Sequence, residues 1–306
     1  MSARFNQVAI SIADRAASLA FYRDLFGLTH VGGTHFSGKA TEAVQGMAGA
    51  SSDCSWLMDD RPHFQFEIFQ FDCPLGRTLA TNRQPQDIGY SRLIFSVPAL
   101  APVAARAGVE VIELNGRRTA YLRDPDGIAV QIIEADVPRA RLTGVALTVP
   151  DIEMAKRSFA EGCGCTPLSA PAPDWGAVWG ETGADKDMML LDGGTVMLEL
   201  SAYRTPVSQP WADGYTLADH GILNVALGFD SAADIRARLA AMQAAGITPN
   251  APLVTAPGLF ALTYSQDPQG FSIETLYVSK IAAGAFGFRK ANLFDRALMA
   301  IMKAAT

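Results

Sequence analysis

Val8-Ala9-Ile10-Ser11-Ile12-Ala13-Asp14, near the start, and Val145-Ala146-Leu147-Thr148-Val149-Pro150-Asp151, midway, share one pattern: an apolar strand closed by an aspartate. Helical spacing follows each. After the first, Leu19, Phe21, Tyr22 and Leu25 give Arg15 to Phe26 a buried stripe, and Gly27 ends it. After the second, Ala155 and Phe159 take the matching places, and Gly162 or Gly164 stops the run. Asp14 and Asp151 are suited to N-cap these helices, because a carboxylate there accepts the first free backbone N–H groups.

The repeat extends outward from these stretches. Tyr121-Leu122-Arg123-Asp124-Pro125-Asp126-Gly127 leads into a strand over 128–134, and Tyr264-Ser265-Gln266-Asp267-Pro268-Gln269-Gly270 into one over 271–277. Asp-Pro-x-Gly predicts a tight turn: Pro presets φ, Asp bonds the backbone and Gly closes the bend. Between these landmarks each half holds one more strand and helix. The strand 90–97 precedes a helix over 99–107, and the strand 222–229 precedes one over 231–245, with Ile235, Leu239 and Met242 on one face. The chain thus reads as an α+β protein of four βαβββ modules, two in 1–137 and two in 141–280, joined at Val137–Ala140. A further amphipathic helix is expected in 284–306. Phe286, Leu293, Phe294, Ala297, Leu298 and Ile301 form its apolar stripe, flanked by Arg289, Lys290, Arg296 and Lys303, and packing on its own chain or in a homodimer is the expected use.

Composition narrows the function classes. With 306 residues, 49% hydrophobic and 18% charged, the chain is globular, and a net charge of −6 without a basic run argues against a nucleic-acid groove. No stretch approaches the ~18 apolar residues of a membrane span, and the N-terminus lacks a signal-peptide core. The four cysteines form no metal-ligand pattern and are expected as reduced thiols of a cytoplasmic protein.

Asn6–Gly27, with Phe21–Leu28 reading FYRDLFGL, resembles the opening strand and helix of the vicinal oxygen chelate superfamily, which includes glyoxalase I, extradiol dioxygenases and bleomycin-resistance proteins. Asp124–Gln131 and Asp267–Glu274 resemble its closing DP-x-G strand, and the resemblance spans roughly 4–280. It implies two tandem glyoxalase-like domains, each a curved sheet of two modules whose concave face converges four strand positions, often on a divalent metal. Strand alternation assigns those positions. In the first half they are Gln7, Glu67, Arg92 and Gln131; in the second they are Gly144, Glu199, Asn224 and Glu274. The same alternation turns Asn6, Val8, Ile10 and Ile12 toward the helices and places Tyr90 and Ile94 beside Arg92.

Arg92 stands where a histidine ligand would be, and a guanidinium has no lone pair to offer a metal. It either forms a buried pair with Glu67 between the two glutamines or turns toward a ligand's acidic oxygen. Glu199, Glu274 and Asn224 are the catalytic candidates. They are structural carboxylates, a proton-sharing acid–base pair, or weak oxygen ligands for Mg²⁺ or Mn²⁺ through Glu199 and Glu274. No cofactor is the favoured expectation. The segments 32–60, 170–194 and 203–219 read as long loops over the cavity mouths, and Trp175 and Trp211 on them as walls for an apolar, ring-containing ligand. His220 falls at a strand rim. Three functions fit: metal-independent proton transfer on a small oxygenated molecule, of isomerase or lyase type; non-catalytic sequestration; and a metal-dependent dioxygenase or glyoxalase reaction, which Gly144 and Asn224 at histidine positions disfavour. Two uncompensated buried carboxylates would cost a pure binder free energy, which favours chemistry.

Overall fold

The computed structural model describes residues 4–78, 83–179 and 183–304. Its first module is β1 (Phe5–Ser11), α1 (Arg15–Phe26), β2 (Thr29–Phe36), α2 (Lys39–Gln45), β3 (Ser51–Met58) and β4 (Gln65–Cys73). The second is β5 (Gly89–Val97), α3 (Leu100–Ala107), β6 (Ile112–Leu114), β7 (Arg117–Arg123) and β8 (Ala129–Glu134). The third is β9 (Arg141–Thr148), α4 (Ile152–Lys156) with a π-helical continuation over Arg157–Gly162, β10 (Thr166–Pro167), β11 (Asp185–Asp192) and β12 (Met197–Thr205). The fourth is β13 (Gly221–Phe229), α5 (Ala232–Ala244), β14 (Thr248–Pro249), β15 (Val254–Ala256), β16 (Phe260–Gln266) and β17 (Ser272–Val278), and α6 (Leu293–Ala304) follows. The α+β class and the four-module repeat are those read from the sequence.

Local chemistry sets the boundaries. Asp14 accepts from the backbone N–H groups of Ala16 and Ala17, and Gly27 ends α1 in the left-handed region at φ 67°. The two Asp-Pro-x-Gly turns are built alike: Asp124 Oδ1 accepts from Asp126 N and Ile128 N, and Asp267 Oδ1 from Gln269 N and Phe271 N. Each turn then reaches the helix start of the preceding module. Asp126 accepts from Ala13 N at 2.7 Å, and Gln269 accepts from Asp151 N at 2.8 Å.

Those contacts show how the modules pair. The two modules of one sequence half meet back to back, through helices and turns, with Phe26 stacked on Phe95 at 4.0 Å and Phe159 edge-on to Phe271 at 6.3 Å. Their strands join the other half. The nine-stranded sheet runs β14-β16-β17-β13-β1-β4-β3-β2, with β15 beside β16, and so combines modules one and four. The eight-stranded sheet runs β10-β11-β12-β9-β5-β8-β7-β6 and combines modules two and three. Each sheet therefore draws on both sides of the linker. Between the sheets lies the main core, including Val8, Ile10, Tyr22, Phe66, Phe95, Val145 and Ile273. Such fully buried side chains stabilise the fold by roughly 1.5–3 kcal/mol each before entropy is counted.

Expected loops contain regular structure: 32–60 holds α2 and β3, and 170–194 holds a 3₁₀ turn at Gly176–Trp179 and all of β11. Leu293 and Phe294 at the start of α6 are exposed, while Asp295 is buried and paired with Arg289. The side chains of Ile301 and Lys303 lie outside the described residues. All four cysteines are free. Among the described residues no helix is long and apolar enough to cross a membrane.

Candidate active site

Because the sheets exchange modules, the eight cavity positions sort differently from the expectation. Gln7, Glu67, Asn224 and Glu274 share the nine-stranded sheet; Arg92, Gln131, Gly144 and Glu199 share the other. The expected Arg92–Glu67 pair and a metal site joining Glu199 to Glu274 are therefore both overturned, since their members lie on different sheets.

In the nine-stranded sheet, β1 and β13 form the central antiparallel seam. Gln7 lies opposite Ala226 and Asn224 opposite Ala9, which sets the two amides diagonally on one face. Ala9 on its other side neighbours Glu67, and Ala226 neighbours Glu274. A small side chain beside each glutamate leaves room for the carboxylates to converge. All four polar residues are buried.

The two carboxylates are held unequally. Trp56, directly across the hairpin from Glu67, donates its indole N–H to Oε1 at 2.8 Å. Burial pushes the Glu67 carboxyl up to about 7, against the weaker pull of the Trp56 and Cys54 hydrogen bonds. Glu274 rises well above the usual range, first through burial and then through the charge of Glu67, with a hydrogen bond from Tyr264 drawing it back. Both carboxyls therefore hold their protons to a higher pH than a free glutamate does. Gln7 Oε1 and Glu274 Oε2 are buried without a partner, and Asn224 meets the Tyr264 hydroxyl. Unmet groups of this kind are rare in cores and cluster at functional sites. The surrounding wall is apolar, with Val31, Met47, Phe69, Phe71 and Leu223.

The tail closes this wall. Gln7 donates to Gln65 at 2.5 Å, and Gln65 in turn donates to the Phe286 carbonyl at 2.7 Å. Gly287, at φ 71°, lies so close to Trp56 that a Cβ would sit 2.4 Å from the indole. Gly287→Val is therefore expected to lift the tail from the cavity. Acrylamide quenching of Trp56, read with the other three tryptophans replaced by Phe, should increase; unchanged quenching would mean that the tail does not seal the site.

The eight-stranded sheet holds the matching positions in a charge-neutralised cluster. Arg92 pairs with Glu199 and donates to Gln131 Oε1 at 2.8 Å, Trp175 donates to the other Glu199 oxygen at 3.1 Å, and Trp179 lies 4.9 Å from the guanidinium. Ile94 fills the space beside Gly144. What remains at its mouth is a cavity of about 40 Å³, scarcely more than one water. Trp175, expected as a ligand wall, is thus buried in the polar cluster around Glu199. Trp211, expected likewise, donates to the Gln269 carbonyl and packs on Phe271. Tyr90 turns into the main core rather than the cavity, because a bulge between Tyr90 and Arg92 shifts the register by one residue. His220 is buried at the rim and bonded to Thr78.

Trp56, Tyr264 and Cys54 belong to the site and were not among the residues assigned to it from sequence. Hairpin register was the available signal: Trp56 faces Glu67 and Tyr264 faces Glu274 directly across their ladders.

No protein-family model matches the chain, and no curated protein sequence does. Solved structures do. Glyoxalase I from Zea mays superposes with a TM-score of 0.63 at 17% identity, covering 90% of this chain and 92% of its own. A candidate dioxygenase from Bacillus subtilis gives 0.64 at 12% identity, covering 99% and 96%. The chain thus has the paired-module fold of these proteins. It is that fold in the four-module form expected from the sequence.

The resemblance noted in the sequence implies a divalent metal in many members, and the donor set can be tested for one. Among the described residues no group of three His, Cys, Asp or Glu side chains is placed to hold a metal ion. Two carboxylates and two amide oxygens nevertheless converge, and several of these atoms lack partners. Such all-oxygen donors fit a hard cation such as Mg²⁺ or Mn²⁺ better than Zn²⁺.

Proposed function

We propose that Gln7, Glu67, Asn224 and Glu274 form the active site of an enzyme that moves a proton on a small, largely apolar molecule bearing a carbonyl or hydroxyl group. The observation that carries this reading is the pair of buried glutamates on one face of one sheet, both of whose proton affinities are raised, that of Glu67 to about 7. One ionised and one protonated carboxyl within the same cavity supply a base and an acid together. In this assignment the ionised member takes a proton from carbon and the protonated member donates to the substrate oxygen. The amide of Asn224 and the unpartnered carbonyl oxygen of Gln7 orient that oxygen and its neighbour. Phe69, Phe71, Met47 and Leu223 hold the apolar body and exclude water. Gln7, Glu67, Asn224 and Glu274 would also hold a hard divalent cation, which would polarise a substrate carbonyl when bound. Glu199 and Arg92 neutralise each other in the second sheet and take no part.

Solvent exchange tests this reading. A panel of apolar α-hydroxy ketones and aldehydes is incubated with the protein in D₂O, and loss of the α-proton is followed by ¹H NMR. At least one member should exchange well above the buffer rate, and Glu274→Gln should reduce that rate by about 10²–10⁴-fold, the usual worth of a general acid or base. Saturable changes in Trp56 emission without any exchange would replace the enzyme by a binding protein.

A further inference from the structure

A second cavity, of about 620 Å³, opens where β13 and β17 end and β1 begins. Its size falls within the range of small-molecule sites. None of the four glutamate-site residues lines it. Leu227, Phe229 and Phe288 give it an apolar floor. Its charge is one-sided: Arg4, Arg238, Lys280 and His63 face it, against a single carboxylate, Asp230. Arg238 is fixed in the wall, donating to the Gly162 carbonyl at 3.2 Å. Arg4, His63 and Lys280 are exposed at the rim. His63 is placed there by a left-handed backbone, φ 66°, two residues before β4 begins. Asn6 also departs from expectation. It lines this cavity instead of packing under α1, and its Oδ1 is buried without a partner. Gly228 makes room for that amide, since a Cβ there would come within 2.7 Å of it.

We propose that this cavity binds an amphiphilic organic anion, with its apolar body on Leu227, Phe229 and Phe288 and its acid group among Arg4, Arg238 and Lys280. The apolar floor supplies affinity, and the excess of cations selects the sign of the head group. Asn6 Oδ1 offers one acceptor to a donor on the guest. A carboxylate and a phosphate ester share this chemistry.

The test uses the full chain and the fluorescent probe 8-anilinonaphthalene-1-sulfonate. The probe should bind saturably and be displaced by decanoate or decyl phosphate, and the stronger of the two identifies the head group. Decanol and decylammonium should displace it at least ~10-fold less well, a difference of ~1.4 kcal/mol. The double variant Arg4→Glu with Lys280→Glu, whose sites are exposed, should bind the probe at least ~10-fold more weakly with an unchanged melting temperature. Glu67→Gln should leave binding within twofold. The proposal is overturned if the probe does not bind, if decanol competes as well as decanoate, if charge reversal has no effect, or if Glu67→Gln weakens binding as much as charge reversal does.

Discussion

Glu67→Gln should make the protein more stable at pH 8 and leave it almost unchanged at pH 4.5. Folding raises the Glu67 carboxyl from its ordinary 4.5 to about 7, chiefly through burial. Between these values the native chain holds a proton that the unfolded chain has released. The resulting stabilisation is full below about 4.5 and is lost as pH rises through about 7. A shift of this size corresponds to about 3 kcal/mol at pH 8, since one pKa unit is 1.36 kcal/mol. Glutamine keeps an acceptor for the Trp56 indole and never ionises, so it escapes that penalty. It also removes the charge that helps to raise Glu274. For a chain of 306 residues the difference is roughly 5 °C in melting temperature. Melting curves of both proteins at pH 4.5 and 8, in EDTA so that no cation neutralises the pair, give the answer. A difference independent of pH would show that Glu67 carries no raised proton affinity in the native state, and the proton-transfer reading would lose its main support. A stabilising substitution in an active site is the expected signature of a site that holds function at the expense of stability.

The modules, their caps and their turns were legible in the sequence because they rest on local chemistry. Asp14 and Gly27 bound α1 by hydrogen bonding and backbone conformation that need no distant partner, and the twin Asp-Pro-x-Gly turns fold identically for the same reason. Alternation likewise set Gln7, Glu67, Asn224 and Glu274, all buried in one sheet, apart from Val8, Ile10 and Ile12 in the main core. What alternation does not encode is which sheet a strand joins. Strand neighbours are chosen by long-range packing, and here the helices of one half stack on each other while their strands pair with the other half. That choice moved Arg92 from Glu67 to Glu199. Tyr90 escaped for a different reason: one bulged residue inverts the faces of the strand positions before it, and no pattern in 89–97 marks the bulge.

The same exchange of partners makes Arg92→Leu the most destabilising single change expected in the chain. Arg92 and Glu199 are both buried, and their charges meet only each other, with Gln131 and Trp175 completing the hydrogen bonds. Removing the cation strands a carboxylate in an apolar cavity beside Leu190 and Trp175. Breaking a buried pair in this way costs about 3–5 kcal/mol. A surface arginine would cost a fraction of that. Replacing both members, Arg92→Leu with Glu199→Leu, removes the stranded charge and should recover all but about 1 kcal/mol, because hydrophobic substitutes for buried ion pairs are often neutral. Urea denaturation of the two single variants and the double variant measures the coupling directly. If the double variant is as unstable as Arg92→Leu, the pair is not the partner-neutralising unit described. If Arg92→Leu is harmless to stability but abolishes the exchange reaction, the second sheet carries the chemistry, and the assignment of the active site to the glutamates of the first is wrong. The outcome argued for is a large loss in the single variant, recovery in the double, and unaltered exchange in the double. It follows from one physical difference between otherwise matching cavities. The eight-stranded sheet neutralised its carboxylate with an arginine and filled the space with tryptophan, whereas the nine-stranded sheet kept two carboxylates that no cation pairs with among the described residues.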